Sequence, residues 1–122
     1  MNTQLVRHHD IGYVEGLPSN GFLDGEAEAL EMVTACFEGK TQNLLIDGHI
    51  LTEAFYHLRT GLAGAILQKF CTYKIRAALI LAEGKDTPGR FGEMVWEANR
   101  GNQFRVFYSR EEAEGWFSAM TK

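Results

Sequence analysis

Arg59-Thr60-Gly61 is the stretch of this 122-residue chain whose side chains are best suited to chemistry. It stands ahead of Leu62, Ile66, Leu67 and Phe70, whose spacing predicts one face of a helix with Thr60 or Gly61 at its mouth. The first amides of a helix lack partners within it and carry the positive end of its dipole, so a phosphate or carboxylate is favoured there. Arg59 would add a two-pronged cation, and Gly61 would let another backbone come close. The plainer role for Thr60 is to cap the helix, and the two roles are compatible.

Glu97-Ala98-Asn99-Arg100-Gly101 forms a second polar patch. Asn99 or Gly101 could take the left-handed conformation that closes a helix. Glu97 and Arg100 are three residues apart, at the spacing of a modest surface ion pair. The same residues could instead bind a partner or a small anionic ligand. Asp47 follows the apolar run Leu44-Leu45-Ile46, which puts it at a strand's carboxyl end, where ligands gather in open α/β sheets. A loop tether is its default role, with an ion pair or a base as alternatives.

The remaining candidates are weak. His8 and His9 are adjacent on an expected strand and so point to opposite faces. His49 and His57 lie eight apart across a loop, without metal-ligand spacing. Cys36 and Cys71 sit singly in apolar helical patterns, as small buried thiols do. No phosphate-binding loop and no nucleophile elbow is present. We therefore expect no metal and no cofactor.

Length and composition bound the rest. A chain of 122 residues fits one domain, and 45% hydrophobic with 23% charged residues is ordinary for a globular protein. A net charge of −4, with twelve scattered Lys and Arg, argues against nucleic acid, whose phosphates call for clustered cations. There is no basic start followed by an apolar stretch and no run of about 20 apolar residues, so we expect neither export nor membrane insertion. Two unpaired cysteines suit a reducing cytoplasm.

The elements that must position these residues read as α/β. Leu5 to Glu15 alternates like one or two short strands around His9-Asp10. Asp24 can cap a helix with Glu26 and Glu28 in its first turn, Ala27, Leu30, Val33 and Phe37 along one face, and Gly39 as its stop. Thr52 to His57 predicts a short helical turn. Ile75 to Ala82, apolar on both faces, predicts a central strand. A helix over Arg90 to Asn99 would bury Phe91, Val95 and Ala98, and Phe104 to Tyr108 forms a further strand. In the last helix Ser109 and Glu112 make a capping box, and Ala113, Trp116, Phe117 and Met120 a stripe at i, i+3, i+4 and i+7. Alternation of this kind gives parallel strands joined by right-handed helical crossovers.

The run from Asn43 to Phe70, "NLLIDGHILTEAFYHLRTGLAGAILQKF", resembles the central segment of STAS domains, the anti-sigma-factor antagonist family, in which a strand ends in Asp and a loop leads into a Ser-Gly-Leu-Gly helix start. The downstream elements fall in the same order. The "LLID" and "TGLAG-ILQKF" patches, with Glu97 to Gly101, resemble more closely an uncharacterised bacterial family, domain of unknown function 4180, over nearly the whole chain. The resemblance implies a single STAS-like domain over residues 1–122, with a mixed four- to five-stranded sheet and about four helices packed against it. It places Thr60 at the position of the antagonists' phosphorylated Ser, making it a possible modification point. Leu58-Arg59 stands where the family has small polar residues; a cation there suits holding an anion.

The expectation is a non-enzymatic regulatory module, monomeric or homodimeric. It would present Arg59, Thr60 and Gly61 to a protein partner or small anionic ligand, with Asp47 behind them and Glu97, Asn99 and Arg100 as a polar rim. The alternative is a small enzyme with a pocket at the sheet's carboxyl edge, Asp47 or Glu97 as acid/base and Arg59 as substrate clamp. A homo-oligomer burying Trp96 or Phe107 is a third reading.

Overall fold

The computed structural model of the chain describes residues 4–8, 11–16, 21–57, 61–81 and 89–121. Five strands form one mixed sheet: β1 (Gln4–His8), β2 (Ile11–Glu15), β3 (Asn43–Asp47), β4 (Arg76–Ile80) and β5 (Phe104–Phe107). β1 and β2 pair antiparallel, with Val6 opposite Tyr13. From β2 onwards every neighbour is parallel, and strand order in space follows strand order in sequence. Helices α1 (Glu26–Glu38), α3 (Leu62–Thr72) and α4 (Gly89–Ala98) make the three crossovers. The short α2 (Glu53–Tyr56) precedes α3, and α5 (Arg110–Thr121) follows the last strand. The fold class is therefore α/β, as the alternation predicts, and the sheet is five-stranded and mixed through the antiparallel β1–β2 pair.

This order dictates the layering. Right-handed crossovers that always step the same way across a sheet return their helices to the same face. One core accordingly joins α1 (Ala29, Met32, Val33), α3 (Ala63, Ile66, Phe70) and the flank of α4 (Met94, Val95) to Val14, Leu44, Ile46, Ala77, Leu79 and Val106. α5 is not a crossover and is free to cover the opposite face. There Ala113, Trp116 and Phe117 pack on Ile11, Tyr13, Leu45 and Ala78. Alternate residues of β3 and β4 thus enter different cores, which explains why Leu44 to Ile46 and Ala77 to Ile80 are unbroken apolar runs.

α5 forms as its sequence predicts. The Glu112 amide donates to Ser109 Oγ at 3.2 Å, and the Glu112 carboxylate reaches back to the Tyr108 amide at 3.4 Å. α1 departs from expectation at three points. Its N-cap is Gly25, with Asp24 one residue earlier. Its buried face runs through Ala29, Met32, Val33 and Cys36, leaving Leu30 and Phe37 exposed. At its end Gly39 is right-handed, and the left-handed residue is Lys40, at φ 56°.

Lys74 repeats this after α3, at φ 59°. In both places the amide two residues past the cap returns to the helix: Thr41 to the Cys36 carbonyl at 3.1 Å, and Ile75 to the Phe70 carbonyl at 2.8 Å. These are two copies of the Schellman closure, each with lysine where glycine is usual. A cation beside the negative end of a helix partly offsets the steric cost.

Other expectations also need correction. Cys71 is exposed, its Sγ donating to Gln103 Oε1 at 2.9 Å, whereas Cys36 is buried and its thiol is pushed up to about 12 by desolvation. Phe107 is half-buried and not exposed as expected, packing on Trp116 at a ring separation of 5.7 Å. Val95 and Ala98 are only half-buried; the expected burial of Phe91 falls outside the described side chains, and His9-Asp10 outside the described residues.

Candidate functional site

Parallel strands β2 to β5 all end at one edge of the sheet, and α3 and α5 both begin there. At the end of β3, Asp47 accepts a hydrogen bond from the His49 amide at 2.9 Å and also meets the His49 ring. The carboxylate thereby caps the single 3-10 turn Gly48–Ile50. Burial alone would raise its pKa, but the His49 amide and ring and the positive field of Arg110 outweigh that and hold it below the usual carboxylate range. Asp47 is a loop tether, the default its sequence position suggests. The chain beyond it is stitched down where Leu23 pairs with Leu51 and the Leu23 amide donates to the Ile50 carbonyl at 2.8 Å.

α3 opens on Gly61, which is exposed and left-handed at φ 74°. A Cβ built there would meet nothing within 4 Å, so the glycine serves the backbone turn and not a tight fit. Arg59 and Thr60, the two side chains expected to work beside it, lie outside the described residues.

The same edge carries a cluster that sequence reasoning missed. Arg110, the first residue of α5, grips Glu15 with two prongs: Nη1 to Oε1 at 2.8 Å and Nη2 to Oε2 at 2.9 Å. Its Nη1 also donates to the Tyr13 hydroxyl at 3.0 Å, and that hydroxyl donates to Glu114 Oε2 at 2.7 Å. Glu15 above all, then Tyr13, raise the Arg110 pKa. Burial first, and then the Glu114 carboxylate, raise that of Tyr13. Tyr13, Glu15 and Asp47 lie on the α5 side because each shares strand parity with a residue of that core. The only signal was the Tyr13-x-Glu15 spacing, and reading it required knowing that α5 crosses to this face.

The Glu97 to Gly101 patch does not join this site. α4 runs back against the strands, so its last turn lies towards the sheet's other edge, beside the start of β5. There Asn99 is structural: its Oδ1 accepts from the Val106 amide at 2.7 Å, and its Nδ2 donates to the Val106 carbonyl at 3.3 Å. The carboxamide completes the exposed ladder of an edge strand. Arg100 lies 4.8 Å over the Trp96 ring and makes no ion pair with Glu97. Neither Asn99 nor Gly101 is left-handed, contrary to expectation.

Among the described residues no three His, Cys, Asp or Glu side chains cluster as a metal site, and no helix is long and apolar enough to cross a membrane. Sheet order and layering thus define the class: a three-layer α/β fold in which the turn after β3 is tied down at the carboxyl edge. The chain belongs to the family described as domain of unknown function (DUF4180), whose model matches residues 9–117. No curated protein and no solved structure matches it.

Proposed function

We propose that this chain is a non-enzymatic binding module with a STAS-like arrangement, acting as a regulator in the bacterial cytoplasm. Its working surface is the mouth of α3, where Arg59 and Thr60 precede Gly61 and meet a protein partner. The observation that carries this reading is Gly61, exposed and left-handed at the carboxyl edge directly beyond the tethered loop from Asp47. Two described charged groups of this edge are already partnered within the fold: Asp47 by the His49 amide, and Arg110 by Glu15. Such an edge is suited to presenting the start of α3, with Thr60 as the contact or modification point and Arg59 as the cation next to it in sequence. The acid/base reading is not favoured, because a carboxylate held ionised by a structural turn is a poor proton shuttle near neutral pH.

The test is affinity capture with the purified chain, followed by identification of the bound protein. Thr60→Glu and Arg59→Ala should each lose a partner that the parent chain and a folded Arg76→Gln control both retain. An identical captured set in all four proteins would remove the α3 mouth as the working surface.

A further inference from the structure

The opposite, amino edge of the sheet holds a cleft of about 720 Å³ between the end of α1 and the starts of β3 and β4. Its polar side is made by Lys40, Thr41, Gln42, Asn43 and Arg76, and its apolar wall includes Phe37. The described charged residues lining it, Lys40 and Arg76, are both cations.

Arg76 is the unusual member. It is the first residue of β4 and is half-buried, and its guanidinium spends one bond on Asn43, Nη1 to Oδ1 at 2.7 Å. Its Nε is buried with no partner. No described carboxylate lies within ion-pair distance of it. Guanidinium does not give up its proton in proteins, so the charge stays and calls for a counter-charge. Burial depresses its pKa, as expected of a cation that no described anion compensates.

Its setting is rigid. Asn43, only 5% exposed, donates through Nδ2 to the Gly12 carbonyl at 3.0 Å, which aims its Oδ1 at Arg76. Thr41 Oγ1 donates to the same carbonyl at 2.8 Å and accepts from the Asn43 amide at 3.1 Å. Two side chains and one carbonyl thus fix the guanidinium before any ligand arrives. The negative end of α1 opposes an anion here, but it amounts to only about half a charge. Its last carbonyls are also engaged, those of Ala35, Cys36 and Phe37 accepting from Gly39, Thr41 and Lys40. Two full cations outweigh it.

We propose that this cleft binds a small organic anion, one carboxylate or phosphate on a compact apolar body, with the Arg76 fork on the anionic group, Lys40 beside it and Phe37 against the body. The site is separate from the α3 mouth and does not depend on it.

Calorimetric titration at low ionic strength with phenyl phosphate, benzoate and inorganic phosphate tests this. Saturable binding of phenyl phosphate or benzoate is expected, with inorganic phosphate weaker because nothing engages Phe37. The phenyl phosphate and benzoate arms distinguish a phosphate from a carboxylate ligand. Arg76→Gln should lose roughly tenfold or more in affinity, the scale of one charge-assisted bidentate contact. Arg76→Lys should recover only part of that, because the charge returns without the fork. Should Arg76→Gln not fold, the exposed Lys40→Gln is expected to weaken binding several-fold. Thr60→Glu should bind as the parent does. Absence of saturable binding by all three probes up to about 10 mM, or equal affinity in the parent and in Arg76→Gln or Lys40→Gln, would overturn the proposal.

Discussion

The two edges of the sheet use similar residues to opposite ends. At the carboxyl edge an arginine closes on a carboxylate with both prongs and on a tyrosine, and Asp47 is held by His49. At the amino edge an arginine has one carboxamide, an unpartnered Nε and a cleft before it. A cation whose counter-charge is supplied by the fold acts as a fastener; one left without a counter-charge is available to something else. Both arginines are the first residue of their element, so position along the chain does not separate them. The surroundings do, and they come from residues far away in sequence.

Experiments can press on this contrast. The largest effect is expected at the amino edge from Asn43→Ala, which strips buried partners from Gly12 and Arg76. Chemical denaturation should show a loss of about 2 kcal/mol, typical of leaving buried polar groups unsatisfied. A loss near zero would mean that the amino edge is not a preorganised scaffold. At the carboxyl edge Arg110→Ala should cost about 1 kcal/mol, since Arg110 is 42% exposed and solvent screens its pair with Glu15.

The twin helix closures give the next comparison. Lys74→Gly and Lys40→Gly each relieve a left-handed lysine and should stabilise by roughly 0.5–1 kcal/mol in thermal unfolding. Only Lys40→Gly should also weaken phenyl phosphate binding. If Lys74→Gly weakens it equally, the amino-edge cleft is not the site.

The smallest effect concerns acid. The folded state holds Asp47 below the usual carboxylate pKa, so its contribution is whole above about pH 4 and fades as pH falls through the folded-state value. Asp47→Asn keeps an oxygen for the His49 amide and loses the charge. Its stability should fall less steeply than the parent's between neutral pH and about pH 3. Identical slopes would show that the field of His49 and Arg110 does not reach the carboxylate.

Much of the architecture was legible because local signals agreed with the packing. In α5 the capping box and the apolar stripe name the same start and the same face, and β3 is apolar up to an Asp-Gly stop. α1 was misread because it carries apolar residues on two faces. Periodicity does not say whether Leu30 and Phe37 or Met32 and Cys36 turn inward; strand order decides that. Asp47 was legible as a tether, since its partner is two residues away. Arg110 and Tyr13 are 97 residues apart, and Arg76 reads as the polar start of an ordinary strand. Asn99 looked like a helix terminator because nothing local reveals that its amide completes a strand edge.

Because the strands lie in the sheet in the order in which they are synthesised, each one emerging from a ribosome can add to a sheet margin already in place. The helices between them shelter one side as it grows. The other side has to wait for α5, so until Trp116 and Phe117 arrive a nascent chain displays Ile11, Leu45 and Ala78 to solvent. A chain stalled before Arg110 should therefore bind a fluorescent reporter of apolar surface, and the finished chain should not.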